Sequence, residues 1–201
     1  VWVETLLKAR LLMNRGTDDD YTQVAQITGD IITNSPFSLE DSVKDIFLTK
    51  GFNSNEVMMG IKPYANQTEV YNNYLYYHQE IATPTMLALF ENDPRSPWVF
   101  QTIIDPYYSL PEQVITKYYP GTAADAQPNA ITENGYAFRL TEAYLLEAEA
   151  LAKSGTNIEM AKSLLKEVLS HAGITDFSQI DAENSPGGLQ LLIVQEEMRN
   201  F

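Results

Sequence analysis

The stretch from Phe138 to Lys153 constrains the fold most, because it is typical of one dense helix that is followed at once by another. Gly155 favours the left-handed backbone turn that commonly ends a helix. Thr156 and Glu159 have the spacing of a capping box, which predicts the start of the second helix. Apolar residues then recur at helical spacing before a second stop at Gly173; they are Ala161, Leu164, Leu165, Val168 and Ala172. The pattern predicts a helical hairpin of the tetratricopeptide type.

The first 35 residues show a similar organisation. Gly16 is expected to end one helix, and Thr17 or Asp18 to cap the next. The acidic run Asp18–Asp20 would then lie at the positive end of the second helix dipole. A calcium site is the alternative for three aspartates, but the loop lacks the alternating ligands and central glycine of an EF-hand. We therefore predict helical hairpins at residues 1–35 and 136–173.

Residues 36–135 differ from both hairpins. They hold nine of the twelve tyrosines, Trp98 and most of the prolines. Residues 56–61 and 99–104 are β-prone and predict short strands. A long irregular segment inside a helical scaffold is commonly functional. The predicted fold is mostly α, with tetratricopeptide-like hairpins around a loop-rich insertion, and with residues 174–201 forming a connecting loop and a further helix from Leu189.

Composition excludes several functions. The net charge of −14, with only 13 Lys and Arg residues, argues against a nucleic-acid-binding face. The chain has no cysteine, which removes disulfides and thiol nucleophiles. Its two histidines are too few for a histidine-rich metal site, and no uninterrupted apolar run is long enough to span a bilayer. No cofactor and no metal site are predicted.

The carboxylates do not form a catalytic pattern. Glu142 and Glu149 lie on the helical face shared with Arg139 and Lys153, where ion pairs three or four residues apart explain them. Glu56 and Asp93 are isolated acids in the sequence. We therefore predict no catalytic residue.

A tyrosine- and asparagine-rich segment is the strongest candidate for binding. Sugars present apolar C–H faces and a rim of hydroxyls, which suit aromatic rings beside side-chain amides. The alternative is that the rings pack into a core at alternate strand positions. The candidate ligand-binding residues are Tyr71, Asn72, Asn73, Tyr74, Tyr76, Tyr77 and Trp98.

Residues 139–150, Arg-Leu-Thr-Glu-Ala-Tyr-Leu-Leu-Glu-Ala-Glu-Ala, resemble the signature helix of the SusD/RagB family of glycan-capturing outer-membrane lipoproteins. Further segments are similar to family motifs and follow the family's order. They are the two helices within residues 3–35, the strand at Asn55–Ile61, Asp93-Pro94-Arg95, Lys117-Tyr118 and the closing Glu196–Phe201, where Asn200 replaces the usual acid.

The resemblance implies a SusD-like fold and capture of oligosaccharide or polysaccharide without catalysis. It also implies delivery to a SusC-like TonB-dependent outer-membrane transporter. The parent protein would be lipid-anchored and exposed at the cell surface, with this chain an internal, soluble part of it. Two other classes are alternatives: a tetratricopeptide adaptor that binds a peptide in a helical groove, and an acidic glycoside hydrolase with two convergent carboxylates.

Overall fold

A computed structural model describes residues 1–61, 81–105, 109–117 and 135–200. The chain divides into two compact units. The helical unit comprises Val1–Ser42, Asn55–Met59 and Ala137–Phe201. The insertion unit comprises Val43–Ser54 and Gly60–Tyr136.

The described residues form α-helices of 3 to 17 residues and strands of 5 residues. The helices are α1 (Trp2–Arg15), α2 (Asp18–Asn34), α3 (Val43–Asp45), α4 (Pro84–Leu89), α5 (Ser96–Val99), α6 (Leu140–Ser154), α7 (Ile158–His171), α8 (Ser178–Ala182) and α9 (Pro186–Asn200). One wide helical turn, Ile46–Lys50, and one 3-10 turn, Gly51–Asn53, follow α3. The strands are β1 (Val57–Ile61), β2 (Phe100–Ile104), β3 (Pro111–Ile115) and β4 (Gly135–Arg139).

The predicted mostly α fold class is confirmed. None of the described helices is both long and apolar enough to cross a membrane.

The first hairpin is held by a capped turn between α1 and α2. Gly16 has a left-handed backbone with φ of 71°, as predicted. The Asp20 amide donates to Thr17 Oγ1 over 3.3 Å, and the Thr17 amide donates to Asp20 Oδ2 over 3.0 Å. Arg15 also binds the Asp20 carboxylate, and its hydrogen bonds hold the Asp20 pKa well below the usual range. The predicted cap at Thr17 is therefore confirmed, and Asp20 is bonded within that cap.

The second hairpin forms as predicted, but with a different cap. Gly155 ends α6 with φ of 65°, and α7 follows. The residue that caps α7 is Asn157, whose Oδ1 accepts from the Met160 amide over 3.1 Å. The predicted capping box of Thr156 and Glu159 is wrong, because the helix starts one residue later in the chain. Both members have other partners in the structure: the Thr156 hydroxyl lies 2.8 Å from that of Ser154, and Glu159 pairs with Lys162.

Two other helix starts also differ from the sequence prediction. Phe138 and Arg139 belong to β4, which pairs with β1, so α6 begins only at Leu140. The Leu140 amide donates to the Glu56 carbonyl over 2.9 Å and extends the strand pairing to the first residue of the helix. The last helix, α9, begins at Pro186 rather than Leu189. Proline is well tolerated there because the first helical amides have no partner within the helix.

Helix α6 is the centre of the helical unit and contacts α1, α2, α7 and α9. Leu145, Ala148 and Ala152 pack with residues of α7 and α9, including Leu164, Leu165, Val168 and Ile193. Ala143 and Ala150 pack with residues of α1 and α2, including Leu6, Ala9, Val24 and Ile31. The buried alanines of α6 carry little volume, which allows neighbouring helices to approach on several sides.

The insertion unit contains a small antiparallel sheet. Strands β2 and β3 pair from Phe100 opposite Ile115 to Ile104 opposite Pro111. A cluster of Ala82, Phe90, Val99 and Phe100 is buried beside this sheet, with the rings of Phe90 and Phe100 edge to face at 5.1 Å. The β-prone runs predicted at residues 56–61 and 99–104 thus correspond to β1 and β2, each beginning one residue later.

One buried acid lies where α2 and α6 meet. Glu147 is only 7% exposed, and its Oε1 would lie 3.4 Å from a Cβ added to Gly29. The absence of a side chain at Gly29 leaves room for the carboxyl group. Glu147 forms no hydrogen bond or ion pair with the residues that the structure describes. Burial raises the pKa of Glu147 to about 7, because the charged form loses hydration.

We expect Leu164→Ala to lower the free energy of unfolding by ~2 to 5 kcal/mol, because Leu164 is buried between α6 and α7. Urea unfolding followed by circular dichroism measures the change. Met160, on the same helix, is 42% exposed and provides the control. Met160→Ala should cost much less, and an equal loss in both variants would contradict the packing of α7.

We expect Glu147→Gln to stabilise the protein increasingly as pH rises. The raised pKa means that the folded state holds its proton more tightly than the unfolded state. The stability contributed by protonated Glu147 is full below the unfolded pKa and is lost as pH rises through the folded value. The neutral glutamine avoids this loss. Unfolding curves of both proteins between about pH 5 and about pH 8 measure it, and a constant difference in stability would contradict the assignment.

Candidate functional site

Six of the seven residues predicted to bind ligand lie outside the described residues. These are Tyr71, Asn72, Asn73, Tyr74, Tyr76 and Tyr77. Trp98 is described and lies on α5 in the insertion unit. The prediction for the first six stays a prediction, and Trp98 can be placed in its surroundings.

Trp98 is half-buried, and one face of its ring stacks on another aromatic side chain. Its ring stacks on Phe47 with centroids 5.8 Å apart and an interplanar angle of 27°. Phe47 is 2% exposed and also packs edge to face with Tyr136 at 5.3 Å. The Lys117 ammonium lies 4.8 Å from the centroid of the Phe47 ring. Trp98 therefore has a packing role, and its partial exposure also leaves part of the side chain open to solvent.

The turn before α5 is fixed by an aspartate–arginine pair. The Arg95 amide donates to Asp93 Oδ1 over 2.8 Å, and Arg95 Nη2 donates to Asp93 Oδ2 over 2.7 Å. Arg95 is 3% exposed, and its guanidinium lies 5.7 Å from the Phe90 ring centroid. These contacts fix the loop that leads into Trp98. Arg95 and Asp93 thus act as structural residues within the insertion unit.

A second candidate is a cavity of about 340 Å³ in the helical unit. It is lined by side chains of α1, α6 and α9. The charged lining residues are Arg10, Glu142, Glu149, Lys153 and Glu197. Met13 and Leu146 provide apolar surface, and Asn14 is the remaining polar residue. The volume lies within the ~300 to 1,000 Å³ of typical ligand pockets.

Two ion pairs neutralise four of the five charged groups. Arg10 binds both carboxylate oxygens of Glu142, with Nη2 donating to Oε2 over 2.6 Å. The same nitrogen donates to the Ala137 carbonyl over 2.7 Å. Lys153 Nζ lies 2.9 Å from Glu149 Oε1. Both carboxylates are buried, so these pairs are shielded from solvent more than surface pairs are.

Glu197 is the fifth charged group. It forms no hydrogen bond or ion pair with any side chain in the described part of the chain. Burial raises its pKa to about 7, and the nearby Glu149 carboxylate adds to the shift. The Lys153 ammonium acts in the opposite direction but does not cancel the rise. The cavity therefore carries one carboxylate beyond its two neutral pairs.

Sequence spacing found only part of this arrangement. The predicted pair of Glu149 with Lys153 is present. The prediction that Glu142 pairs with Arg139 is wrong, because Glu142 binds Arg10 and Arg139 binds Glu56. Spacing within one helix cannot reveal a partner that is 132 positions away.

The comparisons with known proteins agree with the fold. Residues 112–201 match the model of the SusD family. The resemblance inferred from the sequence is thereby confirmed. Among curated proteins, none matches the chain.

Solved structures with the SusD-family fold match nearly the whole chain. A SusD superfamily protein from Bacteroides thetaiotaomicron has a TM-score of 0.72 and 25% identity, over 98% of this chain and 46% of its own. One from Parabacteroides distasonis has a TM-score of 0.74 and 18% identity, over 98% and 48%. Surface glycan-binding protein A from Bacteroides thetaiotaomicron has a TM-score of 0.65 and 17% identity, over 96% and 50%. The chain thus spans about half the length of these SusD-like structures.

We expect Trp98→Ala to lower the stability of the insertion unit by about 1 to 3 kcal/mol, less than the ~3 to 5 kcal/mol of a fully buried ring. The loss arises because the stack on Phe47 disappears. Trp98→Phe keeps an aromatic ring at this position and should lose less. Urea unfolding monitored by near-ultraviolet circular dichroism measures both variants, and an unchanged midpoint for the alanine variant would contradict the packing role.

Proposed function

We propose that the protein of which this chain forms a part captures oligosaccharide or polysaccharide at the bacterial cell surface without chemical change. The observation that carries the proposal is the SusD-family match over residues 112–201. It is supported by the fold likeness to a protein described as surface glycan-binding protein A. The helical unit would serve as the scaffold, and the aromatic insertion would provide contacts to the sugar.

The chemistry of the insertion suits neutral sugars. Flat rings cover the C–H face of a pyranose, and asparagine amides both donate to and accept from its hydroxyls. Trp98, stacked on a buried ring, is restricted in orientation before any ligand arrives. Such preorganisation lowers the entropic cost of binding. We infer that Tyr71, Asn72, Asn73, Tyr74, Tyr76 and Tyr77 contribute further contacts around the same ligand.

Capture is proposed as the first step of uptake. The bound glycan would pass to a SusC-like TonB-dependent transporter, and a lipid anchor on the parent protein would keep it at the outer membrane. Both elements come from the resemblance to the SusD/RagB family. Purification of the native parent protein from outer membranes tests this part. A SusC-like transporter should be recovered with it, and should not be recovered from cells that lack the parent protein.

We expect the chain to bind at least one neutral oligosaccharide from a panel and to leave its reducing-end content unchanged. Tyr74→Ala should weaken that binding by ~1 to 3 kcal/mol, the scale for a base stacked on an aromatic ring. Isothermal titration calorimetry measures the affinity, and a reducing-sugar assay tests for hydrolysis. Leu11→Ala removes a side chain that is 62% exposed in the helical unit and should not alter the affinity.

Two results would contradict the proposal. One is reducing-end release that disappears when a single carboxylate is replaced, which favours a glycoside hydrolase. The other is unchanged glycan affinity in both Tyr74→Ala and Trp98→Ala together with lower melting temperatures. The rings would then be core residues, and the glycan would be bound elsewhere.

A further inference from the structure

The cavity between α1, α6 and α9 contains the carboxylate of Glu197, which forms no ion pair with any cation of the described residues, although the Lys153 ammonium is near. We propose that this cavity binds an organic cation, with an ammonium head group next to Glu197 and an aliphatic or sugar body along the cavity wall. The inference does not rest on the proposed glycan function, since it concerns residues of the helical unit only.

The charge balance of the cavity gives the sign of the ligand. Arg10 is engaged by both oxygens of Glu142 and by the Ala137 carbonyl. Lys153 is engaged by Glu149. With both cations paired, Glu197 leaves the site with a charge of −1 when it is ionised. An anionic ligand would have to displace a buried pair and lie beside Glu197, whereas a cation restores neutrality.

The shape of the cavity distinguishes an organic cation from a metal ion. No three His, Cys, Asp or Glu side chains within the described ranges converge closely enough to hold a metal ion. The volume of about 340 Å³ is also far larger than a bare ion requires. Met13 and Leu146 line the cavity and provide apolar surface for the body of a ligand. These features favour a head group with an attached carbon skeleton.

Proton linkage gives the site a second signature. Burial and the Glu149 charge raise the pKa of Glu197 to about 7. A bound ammonium favours the ionised carboxylate, so it must lower that pKa. Binding near neutral pH will therefore release a fraction of a proton, whereas binding well above pH 7 will release little.

The experiment titrates the chain with butylammonium and, separately, with protonated glucosamine, by calorimetry at a pH just above 7. The neutral analogues butanol and N-acetylglucosamine are the ligand controls. Glu197→Gln removes the charge with little change of shape and should weaken ammonium binding by ~10-fold or more. Glu4→Gln makes the same chemical change at an exposed position on α1 and should leave the binding unchanged. Circular dichroism verifies that each variant is folded.

Side-chain carbon NMR of Glu197 provides a measurement that needs no variant, since saturation with the bound amine should lower its pKa. Binding of butylammonium alone would identify an alkylamine site, and binding of glucosamine alone an amino-sugar site. The proposal is overturned if neither amine binds at millimolar concentration. It is also overturned if the neutral analogues bind equally well, or if Glu197→Gln binds as the wild type does.

Discussion

The helical unit depends on the burial of α6 on nearly all of its faces. A helix in this position must present small side chains where its neighbours approach and larger ones between them. The small side chains of α6 are Ala143, Ala148, Ala150 and Ala152. The larger ones are Leu145 and Leu151. Because α6 contacts α1, α2, α7 and α9, a change in its packing would alter two hairpins and the last helix together.

Several buried polar residues of β4 and α6 have defined partners, whereas Glu147 has none among the described residues. Arg139, at the end of β4, binds Glu56 over 3.2 Å and donates to the Asn200 carbonyl over 2.8 Å. Thr141 binds the same Glu56 oxygen, and the Glu40 amide lies 3.3 Å from the other. A buried charge requires such a network, because an unpaired one would lose its hydration without compensation. The network connects the residue before β1, the end of β4, the start of α6 and the end of α9.

The two candidate sites differ in physical character. The rings of Trp98 and Phe47 stack on each other. A ring fixed in this way would offer a sugar an apolar surface of defined orientation. The cavity of the helical unit instead combines two neutral ion pairs with one additional acid. Partial burial strengthens electrostatic interactions relative to bulk water, so a single unmatched charge can select the sign of a ligand. The first site would suit the proposed glycan capture, and the second the proposed recognition of an amine.

The sequence by itself determined the hairpins, because glycine stops, the Thr17 cap and helical apolar spacing act within a few residues. It also determined the family resemblance, which rests mainly on the amino-acid sequence of residues 139–150. Only the tertiary structure decided that Asn157 caps α7, that Arg10 rather than Arg139 pairs with Glu142, and that Glu197 enters the same cavity as Glu149. A cap depends on the local backbone angles adopted, and the other two contacts join residues from distant parts of the chain. Local spacing does not predict these long-range contacts, because they depend on how α1, α6 and α9 pack.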